Sequence, residues 1–231
     1  MDYIAQGVLQ AFVLLGTGHE ETWSAVYTTV EMSTLSIVVC LALGVPLGFL
    51  LGYAEFPGKR GVRTVVDTLL ALPTVVVGLV VYAFISRRGP LGELGLLFTV
   101  SGMAVGQVLL ALPIVVAMTA NAVESMDERL RLTLLTLGAD GRRLALSTLY
   151  EARYAVLLAA VSAYGRIISE VGVSMMLGGN IKWHTRTITT AISLETGKGE
   201  FAMGIALGLV LLLLAFAVNL TLSLARKRAT I

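Results

Sequence analysis

Five apolar stretches, each about 20 residues long, constrain this chain more than any other feature. They lie at about 30–53, 65–85, 99–121, 154–172 and 201–225. Wound into a helix, such a run matches the hydrocarbon thickness of a bilayer. Backbone N–H and C=O groups meet no water there, so these runs must satisfy their own hydrogen bonds as helices. Charged residues make up only 14% of the 231 residues, against 56% hydrophobic ones. A soluble domain carries roughly a quarter charged residues, so an ordinary water-facing surface is excluded. The sequence predicts an all-α membrane protein with about five transmembrane helices.

The flanking segments give the organisation. Residues 3–16 place Ile4, Val8, Leu9, Phe12 and Leu15 at helical spacing but are too few to span. They predict an amphipathic helix in the interface, with a sixth span as the alternative. His19, Glu20 and Glu21 are expected in a polar turn, closing an N-terminal region over 1–24. The membrane domain follows over 25–225, with a tail over 226–231. Pro46, Pro73 and Pro113 fall inside three spans, where neighbouring helices can satisfy the freed carbonyls. Each marks either a bend along a pathway or a packing kink. Gly44, Gly48 and Gly52 recur at four-residue spacing, as do Gly102 and Gly106, and Gly204 and Gly208. That spacing stacks small residues on one helix face and predicts close helix contacts. Cys40, the single cysteine, is expected as a small packed side chain. The first Lys or Arg is Lys59, so the basic start of a cleavable signal is missing and the first membrane helix is expected to direct insertion.

Basic residues predict the orientation. With the N-terminus outside, the inner segments hold Lys59, Arg60, Arg63, Arg129, Arg131, Arg142, Arg143, Arg153, Arg226, Lys227 and Arg228, eleven in all. The outer segments hold five: Arg87, Arg88, Lys182, Arg186 and Lys198. The bias favours N-outside and C-inside in an inner membrane.

On this reading the segment 122–153 is a cytoplasmic loop. Its leucines at 130, 134, 137, 144, 146 and 149 predict two short amphipathic helices joined by a turn at Gly138-Ala139. Such a loop reads as a docking element for a cytosolic partner or as a helix pair shielding the bundle. In the fourth stretch, Arg166 and Glu170 stand four apart and are expected on one helix face. A lone arginine at mid-span is costly, so a partner is expected. The pair either lines a pathway or gate, or locks the bundle together. Gly178-Gly179-Asn180 suits either an anion-facing nest of N–H groups or a tight turn between helices. Thr185, Thr187, Thr189 and Thr190 either offer hydroxyls to an oxyanion or cap a short re-entrant helix.

Two sets of residues carry a resemblance. Thr136-Leu137-Gly138-Ala139-Asp140, after an acidic, leucine-rich helix, is similar to the cytoplasmic "EAA" loop of ABC importer permeases. Gly165-Arg166-Ile167-Ile168-Ser169-Glu170-Val171-Gly172, Leu177-Gly178-Gly179-Asn180-Ile181 and Thr185 to Ile192 resemble the permeases for oxyanions. Leu149 to Arg153 and Leu194 to Gly199 look most like the tungstate-type members, with molybdate and sulfate permeases as alternatives. The resemblance covers roughly 20–225. It implies a type I ABC importer permease fold, working as a homodimer with the pathway between the copies. It implies docking of two copies of an ABC ATPase on the coupling residues Gly138, Ala139, Asp140, Gly141, Arg142 and Arg143. A periplasmic oxyanion-binding protein would deliver substrate. Arg166, Glu170, Gly172, Gly178, Gly179, Asn180, Thr185 and Thr187 become candidates for the pathway or gate.

No Gly-x-x-x-x-Gly-Lys-Ser/Thr loop is present, so ATP and Mg are expected on the partner ATPase and the chain is not expected to be an enzyme. His19 and His184 stand apart without metal-ligand spacing, and neither a metal nor a nucleic acid is expected as a partner beside membrane lipid. A rival reading, an ion-coupled secondary transporter, would need internal duplication and more than one buried acid. An intramembrane hydrolase would need a nucleophile and base facing each other at depth.

Overall fold

The computed structural model describes residues 2–228, without the side chains of residues 2, 3, 15, 128, 130, 131 and 221–228. Leu15, Leu130, Arg131 and the side chains of the tail over 226–231 therefore lie outside the described residues. The helices are α1 (Asp2–Gly16), α2 (Glu20–Tyr53), α3 (Lys59–Leu70), α4 (Thr74–Ile85), α5 (Val100–Glu124) and α6 (Glu128–Thr136). After them come α7 (Gly141–Glu151), α8 (Arg153–Ile168), α9 (Gly172–Gly178), α10 (Ile188–Gly197) and α11 (Phe201–Arg228). No strand occurs among the described residues. Three helices, α2, α5 and α11, are long and apolar enough to cross a membrane, or up to five spans result if α3–α4 and α7–α8 each count as one bent span.

The first span is longer than its apolar core. At 34 residues α2 is about 51 Å long, well beyond the ~30 Å hydrocarbon layer. It begins at Glu20, so the polar turn expected at His19–Glu21 shrinks to residues 17–19. Pro46 and Pro113 stay inside α2 and α5 as expected. Pro73 does not. The stretch expected as one helix over 65–85 is broken, and Pro73 stands in extended conformation at the N-cap of α4. Proline brings no N–H and drives the residue before it out of the helical region. The fourth stretch also ends early, at Ile168.

The chain divides into two compact units. One comprises Met1–Ser36, Pro73–Leu109 and Gly165–Ile231. Within it α1 packs on α11 through Ala11 and Leu14 against Ala206. A Cβ at Gly7 would meet Ile205 Cβ at 2.8 Å. The residues that suggested an apolar face, Ile4, Val8, Leu9 and Phe12, are exposed on the outside of the helix. With lipid rather than water outside, large apolar side chains gain little by turning inward, and the small face makes the contact. Ala25, Ile188, Ala191, Leu207 and Val210 form a core of α2, α10 and α11. A Cβ at Gly204 would lie 2.9 Å from Thr196 Oγ1 of α10 while one at Gly208 would meet nothing within 4 Å, so of this pair only Gly204 marks a close approach.

The other unit comprises Ile37–Leu72 and Leu110–Tyr164. Here the glycine ladder does what its spacing predicts. Cβ atoms at Gly44, Gly48 and Gly52 would lie 2.8, 2.6 and 2.7 Å from Val115 Cγ1, Val116 O and Ala120 O, so α2 and α5 touch backbone to backbone. Arg63 and Lys59 tie α3 to the end of α5, at 3.0 and 3.6 Å from the Glu124 carboxylate.

Candidate functional site

The break after α8 is where the polar chemistry collects. Glu170 lies in the non-helical link between α8 and α9, 5% exposed. Its Oε2 is 3.3 Å from Arg166 Nη1. Its Oε1 accepts from the amides of Gly172 at 2.9 Å and Val173 at 3.3 Å. The expected pair exists, but Glu170 is not on the helix face of Arg166. It has left the helix and its carboxylate caps the start of the next one. A buried carboxylate is tolerable only when paired and hydrogen-bonded, and both conditions are met. Arg166 keeps 41% of its side chain exposed. It is therefore a cation half-neutralised from one side and open on the other.

The other candidates sort by the two ends of α9. At the start, a Cβ at Gly172 would sit 3.3 Å from Glu170 Oε1 and 3.4 Å from Thr74 Oγ1, so the glycine keeps this corner open. At the end, Gly179 has φ 69° and closes the helix, its amide donating to Met175 O. Asn180 follows at φ 51°. The Ile181 amide donates to Thr185 Oγ1 at 3.1 Å, and that hydroxyl donates to Gly178 O. Gly178 to Asn180 thus make a tight turn, with the Gly179 amide already engaged. Asn180 Oδ1 accepts from Arg186 Nε at 3.2 Å, and Arg186 also pairs with Glu21. Thr187 caps α10 and exchanges bonds with Thr190 in a capping box. Its hydroxyl lies 3.0 Å from that of Thr189, which donates to Glu170 O at 3.0 Å. These hydroxyls are buried and committed, which favours the capping role over direct contact with an anion.

Arg166, Glu170 and Gly172 are therefore brought together, with Thr187 joined to them through Thr189. Gly178, Gly179, Asn180 and Thr185 form a separate group. Sequence reasoning passed over Glu21, Thr29, Gln107 and Ser174. Thr29 Oγ1 accepts from the Ile188 amide at 2.9 Å, and Gln107 Nε2 donates to Ser174 Oγ at 3.1 Å. Gln107 had a visible signal, an amide side chain within an apolar helix. Thr29 had none, since its partner is a backbone group far along the chain.

In the second unit, the segment 122–153 has the two helices and turn its leucines predict. Gly138, at φ 78°, ends α6. Its amide donates to Leu135 O and that of Ala139 to Leu134 O, the bonding of a left-handed helix terminus. Asp140 caps α7 by accepting from the Arg143 amide at 2.7 Å. Cβ atoms at Gly138 and Gly141 would meet nothing within 4 Å. Arg142 and Arg143 are exposed, as are Leu132, Leu135, Leu137 and Leu146, with Leu137 at 78%. Neither arginine has an ion pair among the described residues.

The chain shares this architecture with known proteins. It is 53% identical to the tungstate uptake system permease protein TupB of Campylobacter jejuni over 207 residues, covering 90% of this chain and 87% of that one. It is 36% identical to TupB of Peptoclostridium acidaminophilum, covering 90% and 91%. A solved bacterial alginate ABC transporter, in complex with its alginate-bound periplasmic protein, superposes with a TM-score of 0.77 at 19% identity, over 97% of this chain and 87% of that one. Residues 44–230 match the family described as binding-protein-dependent transport system inner membrane component, and the chain belongs to that family.

Proposed function

We propose that this chain is the permease subunit of an ATP-driven importer that moves tungstate across the inner membrane. The observation that carries the substrate is the 53% identity to a tungstate permease along nearly the whole chain. The chain supplies the path and the coupling element, while ATP and Mg are bound by a separate ATPase. Two ATPase copies dock on α6, the Gly138 turn and α7 of a homodimer, where exposed leucines flank Arg142 and Arg143. A periplasmic binding protein delivers the anion. The N-terminus lies outside and the C-terminus in the cytoplasm, in line with the basic bias.

The pathway role falls to Arg166 and its surroundings. A bare arginine would hold an oxyanion, and a conduit must bind weakly enough to release. Glu170 offsets the Arg166 charge from the buried side, leaving an exposed face that attracts an anion without trapping it. Tungstate, molybdate and sulfate accumulation, measured in cells lacking the chromosomal copy and supplied with this chain and its ATPase, tests the proposal. Tungstate uptake should be restored above the other two. Restored sulfate or molybdate uptake without tungstate uptake would overturn the substrate.

A further inference from the structure

The unit that carries α6 and α7 also holds a groove that none of the candidate pathway residues lines. Leu47, Leu50 and Leu51 of α2, Val62, Val66 and Leu69 of α3, and Pro113 and Val116 of α5 enclose about 300 Å³ with an almost wholly apolar lining. Leu47, Leu50 and Val62 are exposed. Phe56, in the link between α2 and α3, forms one wall of this groove and also one wall of a second recess, of about 640 Å³. That recess is lined by Lys59, Arg60, Arg63, Thr64, Glu55 and Glu124. Two of its three cations are engaged. Lys59 pairs with Glu55 at 2.9 Å, and Arg63 with Glu124 at 3.0 Å. Arg60 is exposed and has no ion pair among the described residues. The recess thus has three cations against two acids, with the surplus on Arg60.

We propose that the groove and recess together bind one anionic phospholipid, an acyl chain between α2, α3 and α5 and the phosphate at Arg60. The order along the helices matches such a molecule. Glu124 ends α5 and marks the recess, and Val116, in the groove, lies eight residues earlier, about 12 Å along the axis. On α2, Leu47 to Leu51 precede the helix end at Tyr53, beyond which the charged link begins. Apolar lining lies toward the span and charge at its rim, as chain and headgroup do. The two acids hold Lys59 and Arg63 in place, and each lysine or arginine near a membrane adds about 1 kcal/mol of attraction to anionic lipid.

The test uses the full permease with its ATPase in vesicles, with Trp23→Phe, Trp183→Phe and Phe56→Trp so that one tryptophan reports on the groove. Brominated phosphatidylglycerol should quench it more strongly than brominated phosphatidylcholine. Arg60→Gln should weaken the phosphatidylglycerol titration about fivefold and leave phosphatidylcholine unchanged. Native mass spectrometry of the unaltered complex should show retained phosphatidylglycerol, lost in Arg60→Gln. Equal quenching by both lipids would overturn the proposal. So would absence of quenching together with Phe56→Cys disulfides between two copies, which would place a second subunit on the groove.

Discussion

The α8–α9 link and the α6–α7 turn are both polar interruptions between helices, and they are built in opposite ways. Around Glu170 a buried carboxylate is satisfied by near neighbours in sequence, and a more distant threonine ties its backbone to the next helix. Glu170 takes its bonds from Arg166, Gly172 and Val173, and Thr189 reaches back to its carbonyl. Around Gly138 the bonds among the described residues are local, and most side chains outside Leu144 and Thr148 face outward. Asp127 and Asp140 cap their own helices, and Leu132, Leu135, Leu137 and Leu146 stay uncovered while Leu144 is buried. A buried carboxylate held by three donors keeps one geometry. A locally capped hairpin with bare leucines offers, on the proposed function, a surface for the ATPase. Damage should therefore appear in folding at the first region and in association at the second.

The largest effect should come from Glu170. Glu170→Ala strands the buried Val173 amide and the half-buried Gly172 amide and leaves Arg166 without its partner, a loss of about 1–3 kcal/mol for each amide left unsatisfied. Arg166→Ala should cost clearly less, because its side chain reaches water and the carboxylate keeps two donors. Membrane yield and the melting temperature in detergent check this order. Equal losses would mean that the ion pair alone, and not the amide cap, holds the corner.

A glycine substitution in each region sharpens the contrast. A Cβ at Gly106 would lie 2.5 Å from Val173 Cγ1 and 2.6 Å from Leu177 Cδ1, so Gly106→Ala should cost about 1–3 kcal/mol by forcing α5 off α9. Gly141→Ala meets open space and should stay within about 0.5 kcal/mol. Thermal denaturation of both variants reads the difference. Matching melting temperatures would remove the packing distinction between the regions. Between the two glycine variants in size, Asp140→Ala should cost about 1 kcal/mol from the lost cap of α7, seen as faster exchange at the Arg143 amide with the rest of the chain unaffected.

The sequence made these regions unequally legible. Gly138 stood between two leucine-patterned stretches, and a local rule was enough to give the turn and its helices. The ladder of Gly44, Gly48 and Gly52 was equally plain, because one helix face makes one contact. Pro73 was not, since Pro46 and Pro113 sit inside continuous helices and only the surroundings decide which proline breaks one. The Arg166–Glu170 pair was visible from spacing. The capping role of Glu170 was not, because it depends on α8 ending at Ile168. The apolar face of α1 was legible from spacing, whereas its small-residue contact with α11 through Ala11 was not, because that partner lies far along the chain.

The separation of the two regions is tested most directly by one paired measurement on the assembled transporter. Arg166→Gln with Glu170→Gln removes both charges and keeps an acceptor for the two amides. Gly138→Val forces a β-branched residue to φ 78°, at a local cost of about 1–2 kcal/mol. Tungstate uptake and co-purification of the ATPase are read side by side for both. The account predicts that the double variant reaches the membrane and retains its ATPase but loses uptake, whereas Gly138→Val reaches the membrane and loses the ATPase. Full uptake by the double variant, or undiminished ATPase binding and uptake by Gly138→Val, would contradict it.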